Sequence, residues 1–161
     1  MEQYFLTNAE KLEVLVRAAE IGPNDRVLEL GAGGGTVAAV LPPCELTLVE
    51  LEPRLVETLR EQFPNAAVLQ EDALEMLEHL QADVILSNLP HALTTDILKI
   101  LSRKTFRRAL VAVHAEDDVA ALSRLMGGKY RLESILTLEK VDFTPTQPFR
   151  SSVLKVHKRA S

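Results

Sequence analysis

The stretch 29-ELGAGGG-35 decides the fold, because it joins an apolar segment with the pattern of a strand to one with the pattern of a helix. Residues 26–30 read RVLEL, which is typical of a buried strand, and residues 35–41 are predicted to form a helix. Glycines at such a junction let the backbone approach a ligand closely, and the start of a helix offers free N–H groups. The stretch therefore predicts a strand, a ligand-binding loop and a helix in succession.

The rest of the chain repeats this alternation of strands and helices. A first helix is predicted from Thr7 or Asn8 to about Glu20, and a turn follows at 22–25. Further strands are predicted at 45–51, 66–70, 82–87 and 108–114, and further helices from Pro53, near 73–80, around 94–101 and at 117–125. Segments 130–138 and 151–158 have no helix between them and are predicted to pair antiparallel at the sheet edge. This order indicates a doubly wound α/β fold with a mostly parallel sheet covered on both faces.

Length and composition predict one domain over residues 1–161, since 47% of the residues are hydrophobic and no linker or repeat divides the chain. No apolar segment approaches the ~20 residues that span a bilayer, and the N-terminus lacks a signal-peptide pattern. We therefore expect a cytoplasmic protein without a membrane partner. Cys44 is the only cysteine, and no His or Cys group has zinc-ligand spacing, so we expect neither a disulfide nor a metal.

The distribution of charge restricts how the chain can bind nucleic acid. Its net charge is −5, which counts against a protein whose whole surface neutralises phosphates. Basic residues are concentrated in 103-RKTFRR-108 and between Arg150 and Arg159. We interpret both clusters first as solvated surface, and as docking surfaces only if other features indicate a nucleic-acid substrate.

The glycine pattern distinguishes between two nucleotide cofactors. A dinucleotide-binding loop requires G-x-G-x-x-G, but after Gly31 and Gly33 the third position is Thr36. The residues instead fit E-x-G-x-G-x-G, with Glu29 at the start and Gly35 at the end. This pattern resembles the first motif of class I S-adenosylmethionine-dependent methyltransferases, which implies a Rossmann-like, seven-stranded sheet and S-adenosylmethionine as the cofactor.

Two acids follow the next strands of the predicted sheet. Glu50 ends the strand after the glycine loop, where a carboxylate can accept hydrogen bonds from both ribose hydroxyls. Asp72 follows the next strand, where its carboxylate either accepts a hydrogen bond from an adenine amino group or caps a helix. Because the carboxyl ends of parallel strands form one edge of a sheet, we expect both acids beside the glycine loop.

The segment 88-NLPH-91 follows the fourth strand and is predicted to hold the methyl acceptor. The lone pair of an aromatic amine is delocalised into its ring, so the amine is a weak nucleophile. The Asn88 side-chain oxygen and the Pro90 carbonyl can each accept one N–H, which favours a pyramidal nitrogen and directs its lone pair. The segment resembles the [N/D]-[P/L/I]-P-[aromatic] motif of many methyltransferases that act on planar amines, and this resemblance implies that His91 has the position of the residue that stacks on the base. The alternative is an ordinary turn, since Asn and Pro are turn residues.

Four segments together resemble the ribosomal-RNA adenine N6-dimethyltransferases. The segment 3-QYFL-6 is similar to the family's Q-N-F-L, and 29-ELGAG-33 to its E-I-G-P-G. The loop 88-NLPH-91 is similar to N-L-P-Y/F, with Leu89 favouring this family over methylases that carry N/D-P-P-Y. The segment 143-FTPTQPFRSSV-153 is similar to F-x-P-x-P-x-V-x-S-x-V. The resemblance covers residues 3 to about 157 and implies methylation of adenine N6 in RNA, with small-subunit rRNA in a ribosomal precursor as the partner.

The resemblance also implies a role for individual residues. The residues that it places around S-adenosylmethionine are Gln3, Tyr4, Leu6, Glu29, Gly31, Gly33, Glu50, Asp72 and Asn88. The residues that it places around the flipped-out adenine are Asn88, Leu89, Pro90, His91 and Phe143, the last as a second stacking ring.

Several positions depart from the family pattern. Tyr4 replaces an Asn, and His91 replaces the stacking Tyr or Phe. In the late motif, Gln147 occupies the second Pro position and Phe149 the Val position. We also expect the chain to lack the family's small C-terminal helical domain. RNA docking is therefore expected at the two basic clusters or through a partner protein.

Two other functions fit part of the same evidence. A DNA adenine or a protein amide has the same planar amine, so either one is an alternative acceptor. A cofactor-binding ribosome-assembly factor with little catalysis would explain His91 and the missing domain. His114 heads an acidic segment that we interpret as the start of a helix rather than as part of a site, and we interpret His79 and His157 as surface residues.

Overall fold

The computed structural model describes residues 3–160, which form two sheets flanked by five helices. The strands are β1 (Phe5–Leu6), β2 (Arg26–Leu30), β3 (Glu45–Val49), β4 (Ala67–Leu69), β5 (Val84–Ser87), β6 (Arg108–His114), β7 (Tyr130–Leu138), β8 (Phe143–Thr144) and β9 (Ser151–Lys158). The helices are α1 (Ala9–Ala19), α2 (Pro53–Gln62), α3 (Ala73–His79), α4 (Thr94–Leu101) and α5 (Val119–Met126). None of these helices is long and apolar enough to cross a membrane.

The main sheet has seven strands in the order β4-β3-β2-β5-β6-β9-β7. The first five strands in that order are parallel, and β9 and β7 pair antiparallel at one edge. The predicted doubly wound sheet with an antiparallel edge pair is therefore confirmed. The order reverses at β2, which pairs with β3 on one side and with β5 on the other. Sheets of this type bind ligands at such a reversal, beyond the carboxyl ends of the strands.

The alternation of side chains along each strand builds a core on both faces of the sheet. On one face, Val27 and Leu110 pack in a cluster with α1. On the other face, Leu28 and Val111 pack in a cluster with Leu98 of α4. The parallel strands are therefore covered on both sides, which agrees with their nearly continuous apolar sequences.

The predicted helix at 35–41 is wrong, because the structure has only a 3-10 turn at Ala38–Val40 there. Gly35 has φ +79°, so it cannot begin an α-helix, and a Cβ at this position would lie 2.7 Å from Phe63 Cε2. Pro42 and Pro43 follow directly and lack the N–H groups that further helical turns need. The remaining predicted elements are present with small shifts of their ends.

The N-terminal segment is held across the carboxyl end of the sheet by a second, two-stranded sheet. Strand β1 pairs antiparallel with β8, so that Leu6 lies opposite Phe143. Next to this pair, Asp142 is 5% exposed and accepts hydrogen bonds from Asn8 Nδ2 at 2.7 Å and Lys11 Nζ at 3.0 Å. Burial opposes the charge on Asp142, but these donors and the Glu139 N–H hold its pKa below the ordinary value. Asp142 thereby fixes the residues between β1 and the first turn of α1.

We predict that Asp142→Ala lowers the free energy of unfolding by about 2–4 kcal/mol, because it leaves a charge and two polar groups without their buried acceptor. Urea denaturation at neutral pH measures this change. Glu57→Ala, which removes an exposed carboxylate on α2, is the control and should change stability by less than about 0.5 kcal/mol. Equal effects of the two substitutions would show that Asp142 does not fix the segment.

Candidate active site

A cavity of about 830 Å³ lies at the carboxyl ends of the parallel strands, where the order of the sheet reverses. Its volume is in the range that small-molecule sites usually have. The predicted site residues that line it are Gln3, Tyr4, Leu6, Glu29, Gly31, Gly33, Glu50, Asn88, Leu89, Pro90, His91 and Phe143. The structure thus brings together all the predicted site residues except Asp72.

The glycine loop and the Asn-Leu-Pro loop touch at this cavity. Gly31 has φ +71°, and a Cβ at this position would lie 2.9 Å from the backbone oxygen of Asn88. The N–H of Gly31 donates to Val49 O at 2.9 Å, and the N–H of Asn88 donates to Leu30 O at 3.2 Å. Because each loop is fixed to a neighbouring strand, only a residue without a side chain fits between them.

Glu50 is held in one orientation by backbone donors. It is buried just past β3, and its Oε1 accepts the Gly33 N–H at 2.8 Å. Its Oε2 accepts the N–H groups of Leu51 and Glu52, both at 3.0 Å. Glu50 therefore connects the end of β3 to the glycine loop, and its carboxylate faces the cavity without freedom to rotate. Its predicted contact with ribose hydroxyls stays a prediction.

Glu29 is buried against the floor of the cavity, with one oxygen unsatisfied. Its Oε1 and the Ser87 Oγ are buried and have no hydrogen-bond partner among the described residues. Burial, and next the nearby charge of Glu50, raise the pKa of Glu29 to about 8, so the carboxyl is protonated at neutral pH. Two orphaned polar atoms beside a glycine loop fit a polar ligand with a positively charged group, such as the ammonium group of S-adenosylmethionine.

The structure places Asp72 at the start of α3, outside the residues that line the cavity. Its Oδ1 accepts the Glu75 N–H at 3.0 Å, which is the helix cap considered as its alternative role. The neighbouring Glu71 and Ala73 do line the cavity. Asp72 is exposed and lies between these two cavity residues in the sequence, and its contact with an adenine amino group stays a prediction.

On the acceptor side, the loop after β5 turns directly into a short helix. Pro90 O accepts the Leu93 N–H at 2.9 Å, which shapes the turn and leaves one lone pair of that oxygen for a ligand. His91 begins the 3-10 turn His91–Leu93 and is half-buried at the cavity wall. Phe143 also reaches the cavity, but only 3% of it is exposed because it packs in the core beneath β1.

The cavity residues that were not expected as site residues from the sequence include His114, Gln147 and Phe149. His114 lies at the carboxyl end of β6, in line with the other strand ends, so its position in the alternation could have revealed it. Gln147 and Phe149 lie in the loop before β9, at positions where the family pattern has Pro and Val. The contact of this loop with His91 depends on the β6–β9 pairing, which no local pattern specifies.

The first basic cluster lies at the opposite end of the sheet from the cavity, because Arg108 begins β6 and the cavity is at its end. Each of its arginines is paired with an acid: Arg103 with Glu78, Arg107 with Asp25 and Arg108 with Glu20. In the second cluster, Lys158 is also at that far end, whereas Arg150 precedes β9 on the cavity side. The structure therefore brings only part of the predicted docking surface near the cavity.

We predict that Gly31→Ala separates the two loops, because its Cβ would overlap the Asn88 carbonyl and φ is positive. Amide hydrogen exchange of the Asn88 N–H should become faster, and stability should fall by about 1–3 kcal/mol. Gly128→Ala is the control, since a Cβ at Gly128 meets nothing within 4 Å. Unchanged exchange at Asn88 would show that the two loops do not depend on each other.

A second prediction concerns the pH dependence of stability. The folded chain keeps a proton on Glu29 up to about pH 8, whereas the unfolded chain releases it near the ordinary pKa of 4.5. The free energy of unfolding therefore falls as pH rises through this window, by at most about 1.4 kcal/mol per pH unit from this group. In urea titrations from pH 4 to 9, Glu29→Gln should remove this contribution to the slope and Glu57→Gln should not. A wild-type slope retained in Glu29→Gln would contradict the assignment.

Comparison with known proteins adds to this geometry. "Probable ribosomal RNA small subunit methyltransferase A" of Methanosarcina barkeri is 36% identical over 128 residues, which are 76% of this chain and 44% of that protein. "Ribosomal RNA small subunit methyltransferase A" of Malacoplasma penetrans is 33% identical over 84% of this chain and 53% of that protein. The chain thus spans about half the length of these relatives.

Solved structures agree on the fold. A dimethyladenosine transferase from Plasmodium falciparum has a TM-score of 0.83 at 21% identity, with 96% of this chain and 63% of that chain covered. The 23S rRNA methyltransferase ErmE has a TM-score of 0.79 at 20% identity, with 98% and 70% covered. The sequence model described as "Ribosomal RNA adenine dimethylase" matches residues 1–157. With nearly the whole sequence matched, the chain belongs to the ribosomal RNA adenine dimethylase family.

Proposed function

We propose that this chain transfers methyl groups to N6 of adenine in RNA, with S-adenosylmethionine as the methyl donor and small-subunit rRNA as the acceptor. The observation that carries the proposal is the close approach of Gly31 to Asn88, because the glycine loop and the loop proposed to hold the amine then line one cavity. The names of the relatives from Methanosarcina barkeri and Malacoplasma penetrans support rRNA as the acceptor.

On the donor side, the chain's own groups suit the cofactor. Glu50 presents a fixed carboxylate for ribose hydroxyls, and the glycine loop leaves space for close backbone approach. Glu29 and Ser87 offer unsatisfied polar atoms on the cavity floor. When bound there, S-adenosylmethionine would supply an activated methyl group. A positive charge on the ligand would also favour release of the Glu29 proton, so we expect cofactor affinity to increase with pH.

On the acceptor side, Asn88 and Pro90 orient the adenine amine. The Asn88 side-chain oxygen and the free lone pair of Pro90 O each accept one N–H of the amine. These bonds draw the nitrogen towards a pyramidal geometry and direct its lone pair to the donor side of the cavity. The contribution is one of proximity and orientation, and no covalent enzyme intermediate is needed. The proton released by the amine leaves to solvent through the open mouth of the cavity.

Docking of the RNA requires positive charge that the cavity does not supply, since its described lining contains neither Lys nor Arg. On the cavity side, Arg150 Nη2 lies 3.5 Å from Glu116 Oε1, and Arg150 Nη1 lies 3.7 Å from Glu139 Oε1. We therefore include in the proposal a partner protein, or the ribosomal particle itself, as a source of further RNA contacts. The reaction would take place in the cytoplasm, on precursors of the small subunit.

We predict that Asn88→Ala reduces methyl transfer to immature small ribosomal subunits by roughly 100-fold, because the amine loses its orienting acceptor. Asn88→Asp keeps an oxygen acceptor and should retain more activity than Asn88→Ala. The measurement is transfer of radiolabelled methyl groups, followed by digestion of the rRNA and separation of the methylated adenosines. Asn24→Ala, an exposed residue at the opposite end of the sheet, should have wild-type activity.

The same assay, run with DNA and protein as acceptors, distinguishes the proposed function from the alternatives. Label in DNA or protein but not in rRNA would contradict the acceptor and support a different planar amine. If the wild type binds S-adenosylmethionine and ribosomal subunits without transferring label, the enzyme proposal is wrong and an assembly factor is favoured.

A further inference from the structure

Three aromatic rings form a cluster on the acceptor side of the cavity. The ring centroids of His91 and Phe149 are 4.8 Å apart with an interplanar angle of 61°. His114 is stacked on Phe149 at 5.8 Å and 26°, and it meets His91 edge-on at 5.5 Å. All three rings line the cavity, and Phe149 is half-buried, so part of its ring surface is available to a ligand.

Hydrogen bonds hold this cluster in place. Gln147 Nε2 donates to Phe149 O and to Ser151 Oγ, both at 3.0 Å, which fixes the loop that carries Phe149. Ser151 Oγ lies 3.5 Å from His91 Nε2. The Glu116 N–H donates to His114 Nδ1 at 3.1 Å and so fixes the orientation of that ring. The rings are therefore positioned before any ligand binds.

Phe143, the ring expected to stack on the base, has little surface for this purpose. It is 3% exposed and pairs with Leu6 beneath the N-terminal segment. Stacking on a base needs most of one ring face, whereas the Phe143 ring is packed in a core cluster that includes Leu6. Phe149 has no such constraint, because it lies in the loop between β8 and β9.

We propose that Phe149, supported by His114, is the specificity-determining stacking surface for the target adenine, and that it compensates for His91. The inference rests on the proposed function. The family pattern has Tyr or Phe at the position of His91 and Val at the position of Phe149. In this chain the His91 and Phe149 rings are in direct contact. The aromatic surface has moved from the Asn-Leu-Pro loop to the loop before β9, and the smaller imidazole leaves space for the Phe149 ring.

The charges around the cluster agree with a stacking role. Burial, and then the neighbouring His114, lower the pKa of His91, while Asp117 partly opposes this effect. A neutral imidazole is the form that packs against Phe149 and a planar base without the cost of burying a charge. Glu116 faces His114 through its backbone N–H, and its carboxylate is paired with Arg150.

The exchange of aromatic surface is tested by a double-mutant cycle. Phe149→Val should lower kcat/KM for immature small subunits by roughly 5- to 100-fold, the usual range for loss of one base–aromatic stack. His91→Tyr alone should also lower it, because the larger ring meets Phe149. The double variant His91→Tyr, Phe149→Val should recover most of the loss. A double variant no better than the product of the single effects would overturn the exchange.

A second measurement does not depend on catalysis. The chain contains no tryptophan, so Phe149→Trp places a single reporter in the proposed stack. Oligoadenylate RNA, added with S-adenosylhomocysteine, should quench its fluorescence, and Phe149→Trp should be more active than Phe149→Val. Phe106→Trp is the matched control, because Phe106 stacks on Tyr130 at the opposite end of the sheet and should not be quenched.

The two proposals fail in different ways. If the wild type methylates rRNA but Phe149→Val is equally active, the stacking role is wrong and the proposed function stands. If the wild type transfers no methyl group, the proposed function is wrong, and quenching of Phe149→Trp by RNA then decides alone whether this ring binds a base. Equal quenching of both tryptophan variants, or of neither, would overturn the inference.

Discussion

The close approach of Gly31 to the Asn88 carbonyl is the constraint on which the rest of the site depends. Strands β2 and β5 are neighbours in the sheet, so the loops that leave them must pass each other within van der Waals distance. A donor bound on one loop and an acceptor bound on the other are therefore aligned by the backbone. Side chains then only refine this alignment, which is consistent with a reaction that relies on orientation rather than on an acid or base.

The same crowding explains the electrostatics of the cavity floor. Glu50 fixes the glycine loop with one carboxylate oxygen and the backbone just after itself with the other, and Glu29 is buried close enough to be affected by that charge. The fold tolerates the pair because one member is protonated at neutral pH. The buried Oε1 of Glu29 has no hydrogen-bond partner in the described part of the chain, which destabilises the ligand-free chain. A polar ligand that bound this oxygen would remove the destabilisation. Stability and ligand binding are thus coupled through a single carboxyl group.

The sequence predicts this fold well where a periodic pattern determines structure. Strands β2, β6, β7 and β9 have the predicted ends, because their buried faces require apolar side chains at regular spacing. The helix at 35–41 fails because Gly35 and the two following prolines outweigh an apolar pattern that the loop uses for packing. Sequence order also places the strand ends of Glu50 and Asn88 on one cavity. It cannot place Phe149, whose position depends on pairing between β6 and β9, strands whose paired residues are 37 to 47 positions apart in the sequence.

The structure also changes the meaning of His91. When only the family pattern is considered, His91 replaces a stacking Tyr or Phe. The replacement by itself favours a protein that binds its ligands without catalysis. In the fold, His91 belongs to an aromatic cluster with His114 and Phe149. No local sequence motif predicts that these two rings lie beside it. In space, the residue beside His91 is the one at the Val position of the family pattern. Here that position holds an aromatic ring, fixed by Gln147 and packed on the imidazole, so the two departures are best explained together as one retained surface.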